Sequence, residues 1–343
     1  MEAAQPVTVL PNLAMKFLRP ILLAASVALI TDARASVTIA WVTVGDAGNA
    51  ADPTTGYGAV AYEYQIGKYE VTNAEYTAFL NAVDPEGANA NGIWNSSMGT
   101  DARGGIAYTA GLASGTKYSI KNNMGNKPVN YISWYDAARF SNWLHNGQGS
   151  GSTETGAYTL GATTGIITSN ADARVRIPTE DEWYKAAYYD PTAGASGGDN
   201  YWLYPTQSDT PPISATATST GQVSNAGPNV VNYIYGADWN EQDGNVTSVG
   251  SAAANNYYGT FDQAGNLYEW NDAVIDSSRG LRGGSWLNND NYFSLRSSDR
   301  RYGGQSIADY TTGFRVASVP VPEPSSFFPA MLICVGVFMR RKR

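Results

Sequence analysis

Three stretches of the chain share one pattern. A hydroxyl residue is followed three places on by an acid, and then by large apolar side chains spaced by three and four. Thr72-Asn73-Ala74-Glu75 precedes Phe79, Leu80 and Val83, with Tyr76 between. Ser133-Trp134-Tyr135-Asp136 precedes Phe140, Trp143 and Leu144, and Pro178 with Thr179-Glu180-Asp181-Glu182 precedes Trp183, Ala186 and Ala187. That spacing places the apolar side chains on one face of a helix. A cap hydroxyl with Glu at the third helical position lets the two residues bond each other's backbone amides. The first and third stretches are predicted to close this box. Asp136 is shorter and is predicted to act on the helix dipole instead. Asn146-Gly147 and Asp190-Pro191 read as stops for the second and third helices.

The strand signals are shorter. They fall at Ala61–Val71, Lys127–Ile132, Val175–Ile177, Leu281–Trp286 and Gly313–Ala317. Long polar connections join them, notably Pro191–Asn225, and no repeat is evident. The prediction is an α+β, loop-rich single domain, residues 36–318.

The two ends have their own character. Residues 1–35 read as an N-terminal extension and a signal segment starting at Met15. Lys16 and Arg19 are followed by an apolar run from Ile21 to Ile30 and by Ala33-Arg34-Ala35, the order of a secretory signal cut before Ser36. Residues 319–343 hold Val321-Pro322-Glu323-Pro324, a mainly apolar stretch at 327–339 and the basic tip Arg340-Arg341-Lys342-Arg343. The apolar stretch is short beside the about 20 residues of a full span, and the basic tip would stay cytoplasmic. These three parts in this order resemble the PEP-CTERM sorting signal. The resemblance implies transient inner-membrane anchoring and removal of the tail by an exosortase-type enzyme. Cys334, the one cysteine of the chain, lies in this tail, so the domain has neither disulfide nor thiol chemistry.

Composition narrows the class. Charged residues are only 15% while glycines number 36, which suits a loop-rich fold better than a helical bundle with charged outer faces. The net charge of −8 argues against a nucleic-acid partner, which calls for a basic stripe.

The order of motifs is informative. IGKYEVTNAEYTAFLNAV, PVNYISWYDAARFSNWL, VRIPTEDEWYKAAYY, FDQAGNLYEWNDAV, LRGGSW and TTGFRVA follow one another across residues 57 to 318. They resemble the formylglycine-generating enzyme, or sulfatase-modifying factor, family. The resemblance implies one compact domain, a variant of the C-type lectin fold. It also implies an oxidase that converts a sulfatase cysteine to formylglycine with oxygen and copper(I) held by two cysteines. Those cysteines would fall between Trp286 and Arg300, where this chain has none; the nearest counterparts are Tyr292 or Phe293 and Ser297. Copper(I) selects thiolate or thioether ligands, so no copper is expected. His145 is the lone histidine and reads as a surface or capping residue; one histidine cannot complete a two-histidine iron triad. It also leaves Ser285, Ser297 and Ser298 without a general base. Gly283-Gly284 reads as a tight turn, and Glu180, Asp181 and Glu182 as the acids of a helix first turn.

The same resemblance implies structural calcium. A first set comprises Asp262, Glu269 and the carbonyls of Gly265 and Leu267, around a glycine-centred turn rich in hard oxygen donors. A second set comprises Asn232, Tyr233, Asp243 and Asn245. The competing reading of both is an ordinary Asp/Asn/Gly turn, and calcium is favoured, more at the first set than at the second.

Trp286, Asn288, Asn289, Asp290, Asn291, Tyr292, Arg296 and Arg300 combine aromatic surface with short amides and cations. That chemistry binds glycans or peptides by stacking and adaptable hydrogen bonds. The competing reading places Trp286 in the core and pairs the two arginines structurally. The expectation is an exported, non-catalytic binding or structural protein of the cell envelope or extracellular space. The alternatives are an enzyme of the superfamily with unconventional chemistry, or an accessory protein docking a sulfatase-like partner.

Overall fold

The computed structural model describes Met1 and residues 36–161, 166–193, 198–288 and 292–319. The expected signal segment, the sorting tail with Cys334, and Asn289, Asp290 and Asn291 lie outside these residues. No helix among the described residues is long and apolar enough to cross a membrane.

Three capped helices carry the core. They are α1 (Asn73–Val83), α3 (Trp134–His145) and α4 (Glu180–Tyr188); a single turn, α2 (Ser97–Thr100), was not legible in the pattern. All three capping boxes close, including the second. Asp136 Oδ2 accepts the Ser133 backbone N–H at 2.9 Å and its hydroxyl at 2.6 Å. The expectation that Asp136 is too short is therefore corrected: it reaches because the donor is its own cap residue, one turn away. α3 ends at Asn146, with Gly147 at φ +84° just beyond it, a conformation that costs a residue without Cβ little.

Short strands complete the domain. β1 (Trp41–Val44), β2 (Tyr64–Gly67), β12 (Ala317–Ser318) and β5 (Val175–Arg176) form one sheet in that order. β10 (Arg301–Gly304), β9 (Ser278–Arg282), β8 (Tyr268–Ile275) and β11 (Thr312–Gly313) form the other. Two small pairs remain: β3 (Ile106–Tyr108) with β4 (Tyr118–Ile120), and β6 (Ile213–Ser214) with β7 (Val230–Val231).

The apolar faces of α1 and α3 meet through rings. Phe79 lies 5.5 Å from both Phe140 and Trp143, and Phe140 meets Phe314 edge-on at 5.4 Å. Phe79, Phe140 and Phe314 are fully buried, and each such burial stabilises by about 1.5–3 kcal/mol.

Two expected strands are corrected. Lys127–Ile132 contributes only the isolated bridge between Thr72 and Pro128, because Pro128 has no N–H to donate and Tyr131 turns left-handed at φ 58°. Leu281–Trp286 stops as a strand at Arg282, because Gly283 and Gly284 stand at φ +95° and +73°. The longest strand, β8, was not expected: its first acid, Glu269, was assigned to the glycine-centred turn before it.

Candidate functional site

Arg282, at the end of β9, points inward beneath the first turn of α4. Its Nη2 and Nε reach Glu180 Oε1 at 2.7 and 3.0 Å, and its Nη1 bonds the carbonyls of Ser297 and Asp299. Arg300 grips the same carboxylate from the other side, Nη2 to Oε2 at 2.5 Å. The Tyr57 ring faces both guanidinium groups, at 4.9 and 5.2 Å. The acids of the α4 first turn are thus spent on structure: Glu182 pairs with Arg176 and Asp181 accepts the Gly58 N–H.

The glycine pair then turns the chain so that Trp286 enters the core. It is 1% exposed, with Tyr310 at 5.7 Å and Tyr235 at 5.9 Å, and the Arg103 guanidinium lies 4.6 Å over its ring. Trp286 is therefore removed from the expected ligand-binding surface, covered by aromatic neighbours, whereas Arg300 stays about a third exposed with its guanidinium held by Glu180. Asn288 is half-buried; its oxygen accepts from the backbone and hydroxyl of Ser285, and its amide bonds the Tyr268 hydroxyl. Tyr292 stands at φ 68° and delivers Phe293 to the surface at 51% exposure. Arg296 lies 4.3 Å over the Phe293 ring and donates to the Tyr204 hydroxyl.

Ser297, at a position where the family resemblance places a metal-ligating cysteine, is 6% exposed and lines a cleft of about 480 Å³. The cleft is also lined by Asp52, Thr54, Asp199, Trp202 and Asp209. Asp52 is buried and fixed by the Thr54 N–H at 2.7 Å and the Tyr184 hydroxyl. Asp190 holds the Trp202 indole N–H at 3.1 Å, and Asp199 and Asp209 each cap a backbone N–H. Such a wall offers carboxylate acceptors and two aromatic side chains, Tyr201 and Trp202, and no thiol or imidazole. His145 sits at the end of α3, where its Nδ1 accepts the Arg174 N–H at 3.0 Å. Sequence reading missed Asp52, between β1 and β2, and Trp202 and Asp209, in the polar connection 191–225, because no local motif marks them.

The two expected calcium sets meet a different arrangement. Both oxygens of Glu269 are taken, by Arg315 Nε and Nη2 at 2.5 and 2.6 Å and by the Trp183 indole at 2.8 Å. Asp262 Oδ2 accepts the Gly250 N–H at 2.6 Å, and the N–H groups of Gly265 and Leu267 bond Gly283 O and Glu70 Oε1. In the second set the Asp243 side chain is exposed, whereas Asn232 and Asn245 are buried and bonded to each other at 2.8 Å. The Tyr233 carbonyl already accepts from Ser214, and Arg103 holds the carbonyls of Asp243 and Gly244. Asn232 Oδ1 is the one oxygen of that set left buried without a partner among the described residues. No group of three or more His, Cys, Asp or Glu side chains among the described residues is placed to hold a metal ion. In neither set do the acids stand open to an ion: Glu269 faces Arg315 and the Trp183 indole, Asp262 spends Oδ2 on an N–H, and Asp243 is exposed.

Burial tunes several acids nearby. It pushes Asp262 up to about 6 against the lowering effect of Gly250 N–H and Arg315, and Asp272 up to about 7 despite Arg279 and Arg176.

Comparison with known proteins completes the picture. A family described as the sulfatase-modifying factor enzyme 1-like domain matches residues 41–319. Among solved structures, that of CarF is 21% identical, covers 83% of this chain and 99% of its own, and superposes with a TM-score of 0.50, a likeness of fold. Variable protein 1 of Treponema denticola is 19% identical, with coverages of 84% and 97% and a TM-score of 0.46. PvdO from Pseudomonas aeruginosa is 18% identical, with coverages of 82% and 91% and a TM-score of 0.38. No curated protein matches the sequence. With nearly all of the folded region matched in this way, the chain belongs to the sulfatase-modifying factor enzyme 1-like family.

Proposed function

We propose that this chain is a non-catalytic member of its family, exported and used as a binding or structural protein at the cell envelope or beyond it. One observation carries the reading: Ser297 and either Tyr292 or Phe293 stand where the family resemblance calls for copper-binding cysteines, and the chain's single cysteine is Cys334 in the tail. A hydroxyl and a phenyl ring cannot hold copper(I). What remains at that position is the cleft beside Trp202, Asp52 and Asp209, with Phe293 exposed nearby. Aromatic faces and fixed carboxylates suit a glycan or a peptide, which supply apolar faces and many hydrogen-bond donors.

Export rests on the signal segment from Met15 and on the sorting tail. The tail anchors the chain transiently in the inner membrane until an exosortase-type enzyme removes it. The alternatives remain an enzyme of unconventional chemistry and a protein that docks a sulfatase-like partner.

The test combines two measurements on the purified protein. Binding to glycan and peptide arrays is compared between wild type and Trp202→Ala, and formylglycine formation is assayed on a cysteine-containing sulfatase peptide with copper supplied. Binding that Trp202→Ala abolishes, with no peptide oxidation, supports the reading. Turnover of the peptide would overturn it.

A further inference from the structure

The spacing of Asp262 and Glu269 calls for a cation at the 262–269 loop, and a cation is there. We infer that the guanidinium of Arg315 is the resident cation of this loop, which therefore closes without a divalent ion. The inference is independent of the ligand proposed for the cleft.

Two geometric facts carry it. First, Arg315 does what a bound ion would do. It and Glu269 are both 0% exposed, and its Nε and Nη2 meet the two carboxylate oxygens side by side, the fork geometry that suits arginine and carboxylate. Its remaining N–H groups reach the carbonyls of Gly67, at the end of β2, and of Phe261, at 3.0 and 2.8 Å. One side chain thus gathers β2, the start of the loop and β8, and neutralises the acid on β8. A divalent ion seated on the same carboxylate would face this guanidinium at close range, with like charges opposed.

Second, donors of the loop and one oxygen of Asp262 are already engaged within the protein. Calcium needs oxygens turned inward. Here Leu267 N–H and the Asn266 amide point at the buried carboxylate of Glu70, at 3.2 and 3.0 Å. Two donors of the turn are thus committed to Glu70, an acid whose charge Arg315 also faces. Asp262, the other expected ligand, spends Oδ2 on the Gly250 N–H.

The experiment is terbium luminescence excited through tryptophan, with melting curves in calcium and in EGTA, on the full-length protein. The Trp183 indole bonds Glu269, so a lanthanide seated on that carboxylate would be sensitised strongly. Wild type should give no emission that Glu269→Gln removes, and melting curves that coincide in calcium and EGTA. Arg315→Lys keeps a charge but loses the fork and should melt well below wild type, with calcium failing to restore it. Emission lost in Glu269→Gln, or a calcium-dependent rise in melting temperature that this variant abolishes, would overturn the inference. A calcium effect equal in wild type and Glu269→Gln places the ion elsewhere and leaves the inference standing. Arg315→Gln, if it folds, should gain terbium emission; if it does not fold, the wild-type and Glu269→Gln comparison still decides.

Discussion

Arg300 and Glu180 meet across 120 residues of chain, Nε to Oε1 at 2.7 Å and Nη2 to Oε2 at 2.5 Å, so the segment after the glycine turn is tied to the first turn of α4. Arg282 shares the same carboxylate from the buried side. The two arginines are not equivalent. Arg300 is about a third exposed, and replacing it with Ala leaves Glu180 with Arg282, so the expected cost is about 1 kcal/mol. Arg282→Ala leaves a buried acid with only the partly exposed Arg300 and strips donors from Ser297 O and Asp299 O, for about 3–5 kcal/mol. Urea unfolding of both variants checks the ordering.

Stability should rise as the solution is made mildly acidic. Burial raises Asp272 to about 7 and Asp136 and Asp262 to about 6, above their unfolded values. A raised carboxylate contributes stability that is present below its unfolded pKa and lost as pH rises through the folded one. Lys127 and Lys185, lowered by burial to about 8, act oppositely but above that window, losing their contribution as pH falls through 8. The melting temperature near about pH 5.5 should exceed that near about pH 7.5, and Asp272→Asn should flatten the difference. A flat profile in wild type would contradict this.

The second helix cap offers a cleaner stability probe. Ser133→Ala removes the hydroxyl that receives the Asp136 N–H and that donates to Asp136. A loss of about 1–2 kcal/mol is expected by chemical denaturation, because the abandoned acid is itself buried.

Gly283 is a position where size and backbone both matter. At φ +95° an added Cβ would stand 3.0 Å from Gln263 O and 3.3 Å from the Trp183 ring. Gly283→Ala should cost about 1–3 kcal/mol and weaken ligand binding at the cleft, since the turn directs the following segment. Equal binding and stability in Gly283→Ala would show that the turn is not required.

Much of the frame was legible because it is written in local chemistry. Thr72, Ser133 and Thr179 announce helices whose caps need only residues three places away. The glycine pair at 283–284 announces a turn because no other residue adopts its backbone so readily. Family order from Ile66 to Ala317 was legible for the same reason: short motifs in sequence carry it. The failures were of reach. Asp136 closes a box that looked too short, and Lys127–Ile132 is no strand, since Pro128 and Tyr131 leave its ladder incomplete.

Sequence by itself determined the capped helices, the loop-rich α+β domain and that domain's lack of cysteine, because each depends on residue identity or on neighbours a few places apart. Only the tertiary structure decided which charges meet. Arg315 reaches Glu269 over 46 residues and Glu180 receives Arg282 over 102, while Trp286 turns inward under Arg103. Electrostatic partners in a folded chain are chosen by distance in space, and burial makes the choice costly to leave unmade, so no spacing along the sequence announces them.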